Sequence, residues 1–203
     1  MRKTIWIVSG VCVAIGIGRS SAQEAGGVED MQKGLAAMMQ AVTAGATNTA
    51  GVVDFKQLKV LLPAAWTGFK RTSAKGERTG AFGMTVAQAT AEYANEAGGT
   101  VNVQIQDLGG TGMAGMAAAG WQAADVDSES DDGYEKTSVY KGVKIHEEYK
   151  NSGKTGTLQT MVGKRFMVSI RISDLDATVM QAVLGKIDLT KLANLKPVEP
   201  AQQ

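Results

Sequence analysis

Cysteine, histidine and proline are all scarce in this chain. Cys12 is the only cysteine, and it lies inside an N-terminal apolar run. Once that run is removed, disulfides, thiol catalysis and cysteine-bound metal are excluded. His146 is the only histidine, so imidazole chemistry has a single residue to use, and no H-E-x-x-H or G-x-S-x-G pattern accompanies it. The three prolines, Pro63, Pro197 and Pro200, mark a helix stop and a tail. No excess of one charge exists either, with a formal net charge of +1. Three of the basic residues (Arg2, Lys3, Arg19) stand in the first 22 positions without an acidic partner, which leaves the remainder with 18 basic and 20 acidic residues. A near-neutral body gives no electrostatic basis for binding nucleic acid or an anionic membrane.

No long apolar run occurs. The longest, residues 5–18, has 14 residues, short of the roughly 20 that a membrane-spanning helix needs. With Arg2 and Lys3 before it and Ser20-Ser21-Ala22 after it, the run reads as a cleaved export signal over 1–22. The expected location is therefore periplasmic or secreted, with no membrane span after cleavage.

What the chain does contain is strand pattern. Residues 134–173 read as four antiparallel strands in succession. In the last of them Phe166, Val168, Ile170 and Ile172 alternate with Arg165, Met167, Ser169 and Arg171, so one pleat face is buried. Gly163-Lys164 suits a two-residue type II′ hairpin. Gly142 and Asn151-Ser152-Gly153 punctuate the earlier strands.

Upstream, Val28, Met31, Leu35, Met38, Met39 and Val42 form an amphipathic stripe, and a small-residue linker ends near residue 51. The main domain is expected over 52–195, with a tail over 196–203. Asp54 can cap a short helix carrying Phe55, Leu58, Leu61 and Leu62 on one face. A polar stretch, 70–80, reads as a loop. Two strands follow: 85–95, with Ala87, Ala89 and Ala91 on one side, and 100–108, with Val101, Val103 and Ile105 against Asn102, Gln104 and Gln106. Ser173 with Asp176 reads as a capping box before a helix bearing Leu175, Val179, Val183 and Ile187, and Asp188 starts a last turn.

Three features invite a site. Gly110-Thr111-Gly112-Met113-Ala114-Gly115 matches the dinucleotide fingerprint G-x-G-x-x-G. The strand before it, however, alternates polar and apolar, unlike a central doubly-wound strand, so no cofactor is expected. The acidic stretch 125–135 offers Asp127, Glu129, Asp131 and Asp132 as metal ligands. Ser130 stands where a calcium loop requires glycine, and Lys136 where it requires glutamate. The reading is a solvated acidic loop. His146 shares a strand face with Lys144 and Glu148, and a surface hydrogen-bonding role is expected.

The order LLPAAWTGFKR, AQATAEYAN, DDGYEKT, GVKIHEEY, VGKRFMVSI and KIDLTKL resembles an uncharacterised family of exported bacterial proteins over most of 52–195. The helix–meander–helix order is similar to the Mog1/PsbP-like fold. The resemblance implies an α/β/α sandwich and a binding or assembly role. The expectation is an α+β protein with a mainly antiparallel sheet of about six strands. It acts as a non-enzymatic envelope module for a protein or small-molecule ligand, as a monomer or homodimer. The alternatives are a hydrolase using carboxylates with His146 and a dimer-forming structural protein.

Overall fold

The computed structural model describes residues 51–81, 84–109 and 112–198. These belong to the unit Ala41–Gln203. The expected export signal, residues 1–22 with Cys12, and the expected amphipathic stripe 28–42 lie outside the described residues.

The first described element is α1 (Phe55–Leu61), started by Asp54, whose Oδ1 accepts from the Lys56 N–H at 2.8 Å. Eight strands follow with three more helices between or after them. They are β1 (Lys70–Ala81), β2 (Met84–Ala94), β3 (Thr100–Asp107), α2 (Gly112–Ala123), β4 (Asp127–Ser130) and β5 (Gly133–Tyr140). The rest are β6 (Val143–Lys150), β7 (Thr155–Val162), β8 (Phe166–Ser173), α3 (Thr178–Leu184) and α4 (Leu189–Ala193). The strands form one open sheet in the order β1-β2-β3-β8-β7-β6-β5-β4, every neighbouring pair antiparallel. After β3 the chain passes through α2 to the far edge, then meanders back until β8 closes on β3. The class is α+β with a mainly antiparallel sheet.

The sheet has eight strands where six were expected, and both additions are edges. The stretch 70–80 is β1, not a loop. The acidic stretch is β4 and the Asp131-Asp132 turn, with Ser130 opposite Gly133. An edge strand exposed along most of its length shows little apolar alternation, and charged residues are what protect such edges from pairing. Among the described side chains of β1 only Ala74 and Gly76 are partly buried, and Gly76 lies under Phe55 of α1.

One face of the sheet is covered and apolar. Its rows run through Ala87, Ala89 and Ala91 of β2, Val101, Val103 and Ile105 of β3, Phe166, Val168 and Ile170 of β8, and Leu158 of β7, all fully or almost fully buried. α1 packs over β1 and β2, where the alanines leave it room; α3 packs over β7 and β8. Gly156 admits the Met180 side chain of α3. The opposite face carries Gln88, Thr90, Asn102, Gln104, Gln106, Gln159 and His146.

Two local expectations are corrected. Gly163 and Lys164 both have positive φ, 61° and 54°, as type I′ requires, where type II′ has it only at the first central position. Lys141-Gly142 does the same in the β5–β6 turn. The capping box at Ser173 does not form: Ser173 is still in β8, α3 starts at Thr178, and Ala177 gives no side-chain cap. Asp176 is instead drawn to the Lys154 ammonium at 3.1 Å, an exposed contact that raises the Lys154 pKa.

Candidate functional site

His146 stands on the polar face, as its alternation with Ile145 and Glu147 requires. Strand pairing puts it in one cross-sheet row with Thr137, Gln159, Ser169, Gln104 and Thr90. Its Nε2 lies 3.2 Å from Glu135 Oε1, and its Nδ1 lies 3.5 Å from Thr137 Oγ1. Thr137 Oγ1 already accepts from the Val126 N–H at 3.2 Å. A carboxylate only accepts, so Nε2 carries a proton toward Glu135, and in the neutral ring Nδ1 is then the acceptor for the Thr137 hydroxyl. The result is a chain of carboxylate, imidazole, hydroxyl and backbone amide, with the hydroxyl oxygen held at both ends. Trp121 of α2 stands edge-on to the ring, with centroids 6.4 Å apart.

α2 ends over this face. Lys144 donates to the carbonyls of Gln122, at 3.1 Å, and Ala124, a cation at the negative end of the helix. Of the residues grouped with His146 by sequence, Lys144 is thus committed to α2, and Glu148 pairs with Lys150 at 3.3 Å. Glu147 lies buried on the other face. Glu135, the carboxylate that does meet the imidazole, comes from the preceding strand. A two-residue turn at 141–142 fixes Thr137 opposite His146 and Glu135 one step diagonal, and that turn was the available signal.

The four acidic metal candidates remain exposed. Asp127 and Glu129 are side by side on β4, and Asp131 and Asp132 form the turn, where their carbonyls accept from Asn151. Among the described residues no three metal-ligating side chains come together. Gly110 and Thr111 of the glycine motif lie outside the described residues. β3 before them is antiparallel to both neighbours, whereas the dinucleotide fingerprint belongs to a parallel β-α-β frame.

Two buried carboxylates sit on the covered face. Asp107, fully buried, accepts four hydrogen bonds: from Arg165 Nε at 2.6 Å and Gly109 N at 2.9 Å on one oxygen, and from Arg165 Nη2 at 2.8 Å and Val53 N at 2.7 Å on the other. Arg165 Nη2 also donates to the Gly51 carbonyl at 2.7 Å. Segment 51–53, the end of β3 and the β7–β8 turn are pinned at one point, and the four acceptor positions of the carboxylate are filled. Glu147 accepts from Gln181 Nε2 at 3.1 and 3.0 Å and has Lys136 Nζ at 3.9 Å. Burial, with Glu147 and Tyr149 alongside, raises the Tyr134 pKa.

A concavity lies elsewhere, at the start of β1. Trp66 is stacked on Phe69 with centroids 5.0 Å apart and meets Tyr93 at 4.5 Å. Tyr93 donates to the Pro63 carbonyl at 2.6 Å, which also receives Arg71. Burial pushes the Tyr93 pKa up to about 12, against the lowering pull of Arg71. Beside this cluster an open groove of about 650 Å³ is lined by Trp66, Gly68, Phe69, Lys70, Thr72 and residues 94–97. Lys70 and Glu96 face each other across it at 3.6 Å. That volume is within the range of small-ligand sites. Sequence reasoning passed over it because Trp66 and Phe69 read as connecting chain and Asn95 as the end of a strand.

Comparison of the chain with known families, with curated proteins and with solved structures finds no match.

Proposed function

We propose that this is an exported binding module of the cell envelope, mature from near Gln23, that holds its ligand in the Trp66–Phe69 groove. The groove carries the proposal. It offers half-buried aromatic surface on one wall and an opposed Lys70–Glu96 pair at the rim. Such a site gains affinity by covering apolar area and gains orientation from the two charges. A ligand with one apolar face and a polar or zwitterionic end fits that chemistry. In this reading α2 completes an α/β/α sandwich over the polar face. The layering is what the similarity to the Mog1/PsbP-like fold implies, and a binding role accords with it.

A second reading, hydrolysis, has one observation in its favour: the Glu135–His146–Thr137 chain has the order of orienting carboxylate, base and hydroxyl. Against it, Thr137 Oγ1 is engaged by Val126. The third reading, a structural dimer, rests on the stripe 28–42 and lies outside the described residues.

One experiment separates the first two. Protein purified from the envelope, its start near Gln23 checked by intact mass, is compared with Phe69→Ala and His146→Ala for ligand capture and for turnover on a hydrolase panel. Phe69→Ala should weaken capture at least about tenfold, while His146→Ala should retain it. Turnover by the wild type that His146→Ala abolishes would replace binding with catalysis as the function.

A further inference from the structure

The sheet has two open edges, and they differ in charge. β1 pairs on its inner side with β2, and β4 with β5; among the described residues nothing pairs with the outer side of either. Both strands are exposed along almost their whole length. Unpaired backbone groups on such an edge are a template for a further strand. β1 carries Lys70, Arg71, Lys75 and Arg78 against one carboxylate, Glu77, which the Gln88 side-chain amide already engages. The β4 edge has five carboxylates between Asp125 and Asp132 and no basic residue. A second copy pairing β1 with β1, or β4 with β4, sets like charges opposite each other. Only the unlike pairing is attractive.

Strand polarity favours the same join. Every pair is antiparallel and the strands number eight, so β1 and β4 run in opposite directions. A copy placed alongside without flipping therefore brings its β1 antiparallel to β4, the pairing used throughout the sheet. An odd strand count would have made that join parallel. The faces agree too. Asp127 and Glu129 lie on the helix-covered side with their partners Lys136 and Tyr134, and Arg78 lies on that side with its partner Ala87. An antiparallel register with Glu129 opposite Gly76 sets Asp127 opposite Arg78.

We propose that the protein self-assembles head to tail, β4 of one copy pairing with β1 of the next. The interface is heterologous, so it closes into a ring or grows as a filament. β4 has only four residues, which makes the join short and the assembly dependent on concentration and salt.

The test is the mass in solution of the protein purified from the envelope, its start near Gln23 checked by intact mass, at about 50 and about 500 mM salt, where screening differs strongly. The expected result is a mass that rises with protein concentration at low salt and returns to the monomer at high salt. Asp127→Lys/Glu129→Lys and Lys75→Glu/Arg78→Glu should each weaken association at least about tenfold. An equimolar mixture should assemble again, since each reversed edge then meets an opposite one, and that rescue cannot come from misfolded chains. A wild type that stays monomeric at every concentration overturns the proposal. So does assembly unchanged in both variants, or a mixture that fails to reassemble.

Discussion

The two faces of the sheet treat buried polar groups in opposite ways. On the helix-covered face, Asp107 and Glu147 are buried, and each carboxylate oxygen has at least one donor. On the polar face, Ser169 Oγ and Trp121 Nε1 are buried with no hydrogen-bond partner among the described residues. A buried group with all its bonds made fixes the elements that supply them, whereas an unpaired one carries a desolvation penalty of about 1–3 kcal/mol. The covered face is therefore the specified one. The polar face, at Ser169 and Trp121, has hydrogen-bonding capacity that folding does not use up.

The sharpest way to break this contrast is at Asp107. Asp107→Ala leaves Arg165 without its carboxylate, and the Val53 and Gly109 amides without their acceptor. The expected loss is about 3–5 kcal/mol by chemical denaturation. The double change Asp107→Leu/Arg165→Leu should lose less than Asp107→Ala, because it removes both charges together. If the single change costs under about 1 kcal/mol, Asp107 is hydrated in solution and the covered face is not sealed at that end.

A smaller effect sharpens the contrast by titration. The Tyr93 hydroxyl is 1% exposed as a residue and its pKa is raised from 10.0 to about 12. The neutral form is favoured by folding, so between those two values the folded state holds more protons than the unfolded one. Stability is then full below pH 10 and falls as pH rises to about 12, by about 2–3 kcal/mol from this group. Tyr93→Phe should cost about 1 kcal/mol near neutrality, through the lost bond to Pro63, and should flatten that alkaline fall. Denaturation midpoints at several pH values, wild type against variant, measure it. Parallel alkaline curves would place the Tyr93 hydroxyl in water.

The same contrast explains what the sequence disclosed. β3 and β8 were legible because one of their faces is buried, so Val101, Val103 and Ile105 alternate with amides, and Phe166, Val168 and Ile170 with polar residues and methionine. The cap at Asp54 was legible because it is local. β1 and β4 were not, since strands exposed along almost their whole length lose the period-two signal. The Ser173 box failed because residues 174–175 bond back to Gly153 and Lys154, a tertiary attachment that outweighs a local cap. Asp107 continues the buried alternation of β3, so a charge on the covered side was visible in the pattern. Its partner, Arg165, lies 58 residues away and could not be named. Glu135 was similarly hidden from His146 by a turn, and the Trp66 groove by chain that shows no periodicity.

The smallest expected effect is at Ser169, and it tests the polar face directly. Sequence alternation alone puts Ser169 on the outward side of β8, where Ser169→Ala is an exposed change of no consequence. The structure buries it, 5% exposed, with its hydroxyl unpaired. Removing that oxygen takes away an unmet polar group and leaves a methyl of almost the same volume in a covered site. Ser169→Ala should therefore be neutral or stabilising by up to about 1 kcal/mol. Denaturation of the purified variant decides the matter. A loss above about 1 kcal/mol would mean that the hydroxyl is hydrogen-bonded in solution, and Trp121 Nε1 alone would then carry the contrast between the faces.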